Sequence, residues 1–322
     1  MKNVLPFAIA IVFFVYFYKY ISKITAAKEP VKTDNKKGTA ISRLEVELAS
    51  PLTVEEPSTK ADSLYSQAAE LYSDRKYEEA LPIYKQASEE GHARSKFVIG
   101  WMYKNGEGVK KDTVVAIEWY TKAVNAGNTE AMLYLAGMYQ TGDGVKKDYE
   151  KALEIMKKAA AAGNAMAMNN LGYMYANGRG TPVDHTLALE WYRKSADLGY
   201  SMAIVAMGDI YMEGRGTAID YKRAMEWYKK GADIGNSIAR IKLGKMYEEG
   251  KGVDVDYRSA LECYMKSAEY SDPEALNNIG LMFAQGKGVT KDITRARKYF
   301  EKAAAFNNAD AKKNLAALPK KK

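Results

Sequence analysis

One periodicity constrains this chain more than anything else in it. Blocks beginning at Ala93, Thr129, Ala165, Ser201, Ser237 and Pro273 are each 36 residues long and align without a gap. Each carries a glycine pair, first seen in "YKNGEGVKKD" (103–112) as Gly106/Gly108 and repeated as Gly142/Gly144, Gly178/Gly180, Gly214/Gly216, Gly250/Gly252 and Gly286/Gly288. An aspartate follows every pair, from Asp112 and Asp148 to Asp292. A fixed period of this length is the signature of a repeat architecture, in which one supersecondary unit is copied along the chain.

Each block holds two helical patterns around that loop. The first runs Ala131, Leu135, Tyr139 and again Ala167, Leu171, Tyr175; a spacing of four puts one narrow stripe inward. The second runs Ala116, Trp119/Tyr120, Ala123, with Ala188, Trp191/Tyr192, Ser195 as equivalents. Small residues beside large aromatic ones let two helices approach closely. Neither helix can bury its stripe alone, so neighbouring pairs must stack. Upstream, residues 68–92 form the same unit with a shorter loop, and "ADAKKNLAAL" (309–318) is a first helix without a second, ended by Pro319, as a closing cap would be.

These residues resemble a known family. The short upstream unit resembles a tetratricopeptide repeat, and the six blocks are similar to Sel-one-like repeats, with small-x-x-x-Leu-Gly-x-x-Tyr, Gly-x-Gly-Val, Asp, Ala, Trp-Tyr and Lys-Ala-Ala in order. The resemblance spans about 61–318 and implies an all-α fold: a right-handed α-solenoid of antiparallel helix pairs, usually a scaffold or adaptor for protein complexes. Ile155–Met156 and Cys263 depart from the aromatic pair, and Ala136 stands where Gly100 does. The expected organisation is an anchor or signal at 1–23, a tether at 24–57, a tetratricopeptide-like unit at 58–92, the six repeats at 93–308, and a capping helix with a basic tail at 309–322.

The N-terminal stretch differs from the rest. "VLPFAIAIVFFVYFY" (4–18) is an uncharged apolar run of 15 residues, near the lower limit for a membrane span if Lys19 snorkels. It reads as a single transmembrane helix that anchors the chain. A cleaved secretory signal, which would make the protein secreted, is the alternative. Lys19 and Lys23 directly after the run argue for the anchor. Flanking lysines favour a cytoplasmic body whereas a short N-tail favours export, so the side of the membrane stays open. Residues 24–57, with Pro30, Pro51 and Pro57, read as a flexible tether with an r.m.s. reach of roughly 30–35 Å.

The glycine loop could cradle a phosphate. Asp112, however, is placed to cap the helix that follows with its own carboxylate, and no Gly-Lys-Ser/Thr tail completes a P-loop. The loop therefore reads as a turn. Net charge is +8 and the pI about 9.1, and Lys122, Lys158, Lys194, Lys230, Lys266 and Lys302 share one repeat position. Glu118, Glu154, Glu190, Glu226 and Glu262 stand four residues earlier, which predicts a salt-bridged solvent face and argues against a nucleic-acid partner.

Partner contact is expected where first-helix residues vary between blocks. At about 100° per residue, repeat positions two, five and nine oppose the packing stripe. They read Arg94, Phe97, Trp101; Glu130, Leu133; Met166, Asn169, Tyr173; Met202, Val205, Asp209; Ile238, Ile241, Lys245; Glu274, Asn277, Leu281. In tetratricopeptide arrays that face lines the concave groove, which implies a site for a protein or peptide with Trp101 and Tyr173 as anchors and Asn169 and Asn277 bonding its backbone. The competing expectation is that neighbouring repeats bury these side chains. A cell-envelope binder of peptidoglycan or polysaccharide would also suit groove aromatics on an anchored chain.

Catalysis finds little support. His92 stands where other blocks have Asn128, Asn164 and Asn236 and reads as a helix cap, His185 opens a second helix, and Cys263 fills a tryptophan slot. Neither histidine has a Cys or Ser at a recognisable spacing. No enzymatic activity, cofactor or metal is expected, and a single cysteine excludes an intrachain disulfide.

Overall fold

The computed structural model describes residues 59–319, and every regular element among them is helical. The expected anchor (1–23) and tether (24–57) lie outside the described residues, and no helix among the described residues is long and apolar enough to cross a membrane.

The chain forms two compact units, up to Ile155 and from Met156 onward. In the first are α1 (Thr59–Ser73), α2 (Tyr77–Glu89), α3 (Ala93–Asn105), α4 (Thr113–Asn125), α5 (Thr129–Thr141) and most of α6 (Tyr149–Ala161). Helices α1 and α2 pack as a pair, as do α3 and α4; α2 then meets α3, and α4 meets α5. The second unit continues with α7 (Ala165–Ala176), α8 (His185–Asp197), α9 (Ser201–Glu213), α10 (Tyr221–Asp233), α11 (Ser237–Glu249), α12 (Tyr257–Ala268), α13 (Pro273–Gln285), α14 (Ile293–Ala305) and α15 (Ala309–Ala317). Here too each helix packs on the next along the chain. This is the nearest-neighbour stacking of an all-helical repeat solenoid.

Within a pair, the closest approach is glycine against a ring. A Cβ on Gly280 of α13 would stand 2.5 Å from the Phe300 ring of α14, and one on Gly244 would stand 2.6 Å from Tyr264. Gly100 and Gly172 face Tyr120 and Tyr192 in the same way. These rings are buried, Tyr120 and Tyr264 completely, so the glycine lets a flat aromatic lie directly on the partner backbone. Ala116, Ala131, Leu135 and Tyr139 of the expected stripes are likewise buried.

The loop glycines do two different jobs. Gly214 ends α9 in the left-handed region (φ 71), its N–H donating to the Ile210 carbonyl at 2.8 Å. The second glycine instead marks a seam between repeats. A Cβ on Gly252 would stand 2.8 Å from the Tyr221 carbonyl at the start of α10, and one on Gly216 would stand 2.5 Å from the His185 carbonyl at the start of α8. The aspartate then caps the following helix: Asp112 accepts from the Val114 and Val115 N–H, and Asp184, Asp220, Asp256 and Asp292 act alike. A phosphate at these N-termini would meet a carboxylate already in place.

Gly280→Ala is expected to destabilise the protein by about 1–3 kcal/mol through overpacking. Phe300→Met on top of it should recover part of that loss, because a flexible thioether can yield where a ring cannot. Thermal melts of the two single variants and the double variant check this, and strict additivity would contradict the interlock.

Candidate interaction surface

The first-helix positions expected to face a partner divide by depth. In the first unit, Arg94 and Glu130 at position two are exposed and bonded to each other (3.3 Å), Trp101 and Leu133 are half-buried, and Phe97 is buried. The Phe97 ring lies 5.6 Å from Tyr120 and 6.2 Å from Tyr134 of the next first helix. In the second unit Met166, Asn169, Met202, Asp209 and Leu281 are half-buried, Tyr173, Ile238, Lys245 and Glu274 are exposed, and Val205, Ile241 and Asn277 are buried.

Position five is thus largely packing, and Phe97 and Asn277 are corrected accordingly: neither offers a free surface. Asn277 is buried, and its Oδ1 accepts from Asn314 Nδ2 of α15 at 2.9 Å, so it holds the closing helix. The cause is the same at Phe97 and Asn277. The neighbouring first helix lays its position-six side chain over position five, as Tyr134 does over Phe97. Positions two and nine keep access. Lys245 pairs with Glu274 across the seam (2.6 Å). Asp209 accepts from the Tyr228 hydroxyl (2.5 Å) and pairs with Lys242 (2.9 Å), so its charge is met within the protein.

Three lysines of the row differ from expectation. Lys122, Lys194 and Lys230 sit over the rings of Trp119, Trp191 and Trp227, three residues earlier, at 4.5, 4.4 and 4.3 Å, instead of pairing with the glutamate four residues back. The ammonium groups therefore belong to the second-helix surface as cation–π partners.

His92 serves as a helix cap. His92 Nδ1 accepts from the Ser95 N–H (3.1 Å) at the start of α3, which requires the neutral ring. Burial lowers its pKa, opposed by Asp62 at 3.6 Å from Nε2 and aided by Arg94 and Lys96, and the Tyr65 ring lies tilted against the imidazole at 4.4 Å. Burial pushes the Cys263 thiol up to about 11, leaving it protonated near neutral pH. No group of three or more His, Cys, Asp or Glu that could hold a metal occurs among the described residues.

Two features of the second unit escaped the sequence reading. Leu198, Ile234, Tyr270 and Phe306 occupy one repeat position, at the C-terminal end of each second helix, and all are more than half exposed. This periodic apolar row is more than solubility needs. The other is a small cleft of about 150 Å³ between α7 and α9, lined by Tyr173, Ala176, His185, Tyr192, Asp209 and Arg215 among others. Two of the expected contact residues, Tyr173 and Asp209, therefore meet at one concavity.

The family model described as "Sel1 repeat" matches residues 93–128, 129–164, 165–200, 201–236, 237–269 and 273–305, which is most of the chain. The chain belongs to the Sel1 repeat family. Among solved structures, c5321, a protective antigen of uropathogenic Escherichia coli strains with an SLR fold, is 36% identical with a TM-score of 0.68 over 73% of this chain. That match takes in 50% of the antigen, so this chain corresponds to half of the antigen's length. A Sel1 repeat protein from Oxalobacter formigenes is 30% identical with a TM-score of 0.65, over 74% of this chain and 96% of that one. No curated protein sequence matches the chain. Sel1 repeat proteins are helical repeat scaffolds that generally bind other proteins.

The His92 cap should make folding pH-dependent. Its folded pKa lies below the ordinary histidine value, so the cap's contribution is present above that value and is lost as pH falls through the folded pKa. The melting temperature of the native protein should fall on acidification by more than that of His92→Asn, whose side chain caps without titrating, by an amount equivalent to about 1 kcal/mol. Parallel melts at both ends of that window check it, and identical pH dependence would contradict the assignment.

Proposed function

We propose that this Sel1 repeat protein is a membrane-tethered scaffold that holds a protein or peptide partner on the first-helix face of its repeats. One observation carries the reading: beside a position five that is largely packed away, positions two and nine keep large apolar and aromatic side chains within reach of solvent. Trp101 is half-buried in the first unit, and in the second Tyr173 is 41% exposed and Ile238 43% exposed. Burial of such groups is what a partner can supply, and aromatic residues are the usual anchors of an interface. Tyr173 is already covered on one side by the Arg179 guanidinium (4.7 Å), which holds the ring in a defined pose. The exposed row at Leu198, Ile234, Tyr270 and Phe306 gives the same unit a second apolar edge.

Tethering rests on the apolar run at 4–18, and residues 24–57 would let the repeats reach partners near the bilayer. The scaffold has no catalytic task in this reading. Sedimentation with membranes after alkaline extraction is expected for the full chain, and release into the supernatant would count against the anchor. Replacing Tyr173 by alanine should weaken binding to selected peptides by roughly 2 kcal/mol, the scale of an interface anchor, with little change in melting temperature. Unchanged affinity, or a large loss of stability, would show that the ring serves packing instead.

A further inference from the structure

Two of the ion pairs between neighbouring repeats share one offset. In the second unit the Glu248 carboxylate accepts from the Tyr264 hydroxyl 16 residues later (3.1 Å) and from Lys287 Nζ 39 residues later (2.8 Å). In the first unit the same offset of 39 joins Lys104 to Asp143 at 2.7 Å, with the signs exchanged. Moving the Glu248 pattern back by two blocks brings Ala176 into the place of the glutamate, Tyr192 into that of Tyr264, and Arg215 into that of Lys287. All three line the cleft between α7 and α9. Both donors recur, and alanine stands in the place of the glutamate.

The surroundings fit that description. Tyr228 and Tyr264 each donate to a carboxylate, but among the described residues the Tyr192 hydroxyl donates to none. Burial pushes Tyr192 up to about 12, so it stays a proton donor at neutral pH. Arg215 is held by Glu213, the last residue of α9 (2.6 Å), a half-exposed pair of the kind that contributes little to stability. Asp209 also lines the cleft, with its charge taken up by the Tyr228 hydroxyl and Lys242. The His185 ring beside them has a buried Nδ1 without a hydrogen-bond partner.

We infer that this cleft takes a carboxylate from the bound partner, with the Tyr192 hydroxyl and the Arg215 guanidinium donating to it as Tyr264 and Lys287 do to Glu248. Tyr173, at the rim, covers the adjoining apolar part of the same ligand. This rests on the peptide-binding reading and specifies its chemistry. The carboxylate comes either from an acidic side chain or from a chain terminus, and both present the same two oxygens to the donors.

The test is selection of phage-displayed random peptides on the full chain, followed by affinity measurements with synthetic copies of the retained sequences. For each, a Glu→Gln or Asp→Asn version and a C-terminal amide are compared with the parent. One of these changes should weaken binding about tenfold or more, and which one does so identifies the source of the carboxylate. Arg215→Gln and Ala176→Glu should both abolish that preference, and Ala176→Glu should also raise the melting temperature because it restores the pattern internally. Peptides that bind equally well without any carboxylate, or a charge preference that survives Ala176→Glu, would overturn the inference while leaving peptide binding intact. If no peptide is retained at all, the binding reading falls and this inference falls with it.

Discussion

A bare backbone pressed against an aromatic ring is the contact on which everything else depends. Gly100, Gly172, Gly244 and Gly280 sit where a methyl group would strike the ring of the second helix, and each of those rings is buried. Two thirteen-residue helices such as α13 and α14 cannot bury enough surface to stand alone. Pressed together they still leave an apolar edge, which only the next pair can cover. Length in this protein is therefore a consequence of thinness, and stability accumulates along the chain instead of around a centre.

Between pairs the joints are of a different kind. The second loop glycine lets one turn lie on the carbonyl that opens the preceding second helix, and charged or polar side chains then cross the seam: Lys104 to Asp143, Ser237 to Asp272 (2.7 Å), Lys287 to Glu248. Partly buried pairs of this sort fix register, since a shifted neighbour would leave a charge unmet. Because the seam residues vary from block to block while the glycine–ring contact hardly does, the seam is where a repeat array can change chemistry without risking its fold. The cleft at Ala176 is one such change.

The repeat length, the helix pairs, the loop and the aspartate caps were legible because each is a local rule written several times over; repetition averages out the ambiguity of any single copy. What the sequence hid depends on the neighbour. Helical periodicity placed Phe97 and Asn277 outward, correctly with respect to their own pair, but Tyr134 and Asn314 of the next first helix close over them. Lys122, Lys194 and Lys230 lie over an indole three residues earlier, a contact that counting charges at a spacing of four does not reveal. One departure did carry a readable signal. The block with Ala136 in the glycine place is also the block with Met156 in the ring place, so the two exceptions to the pattern fall in one block.

The account's central claim is that each block is held only by its nearest neighbours through an interchangeable seam. Deleting residues 201–236 joins Tyr200 to Ser237 in register and removes one complete block. Circular dichroism through a thermal melt is the most direct test: the claim predicts unchanged helix content per residue and a cooperative transition at somewhat lower temperature. Loss of helix well beyond the deleted block, or a chain that no longer melts cooperatively, would contradict it.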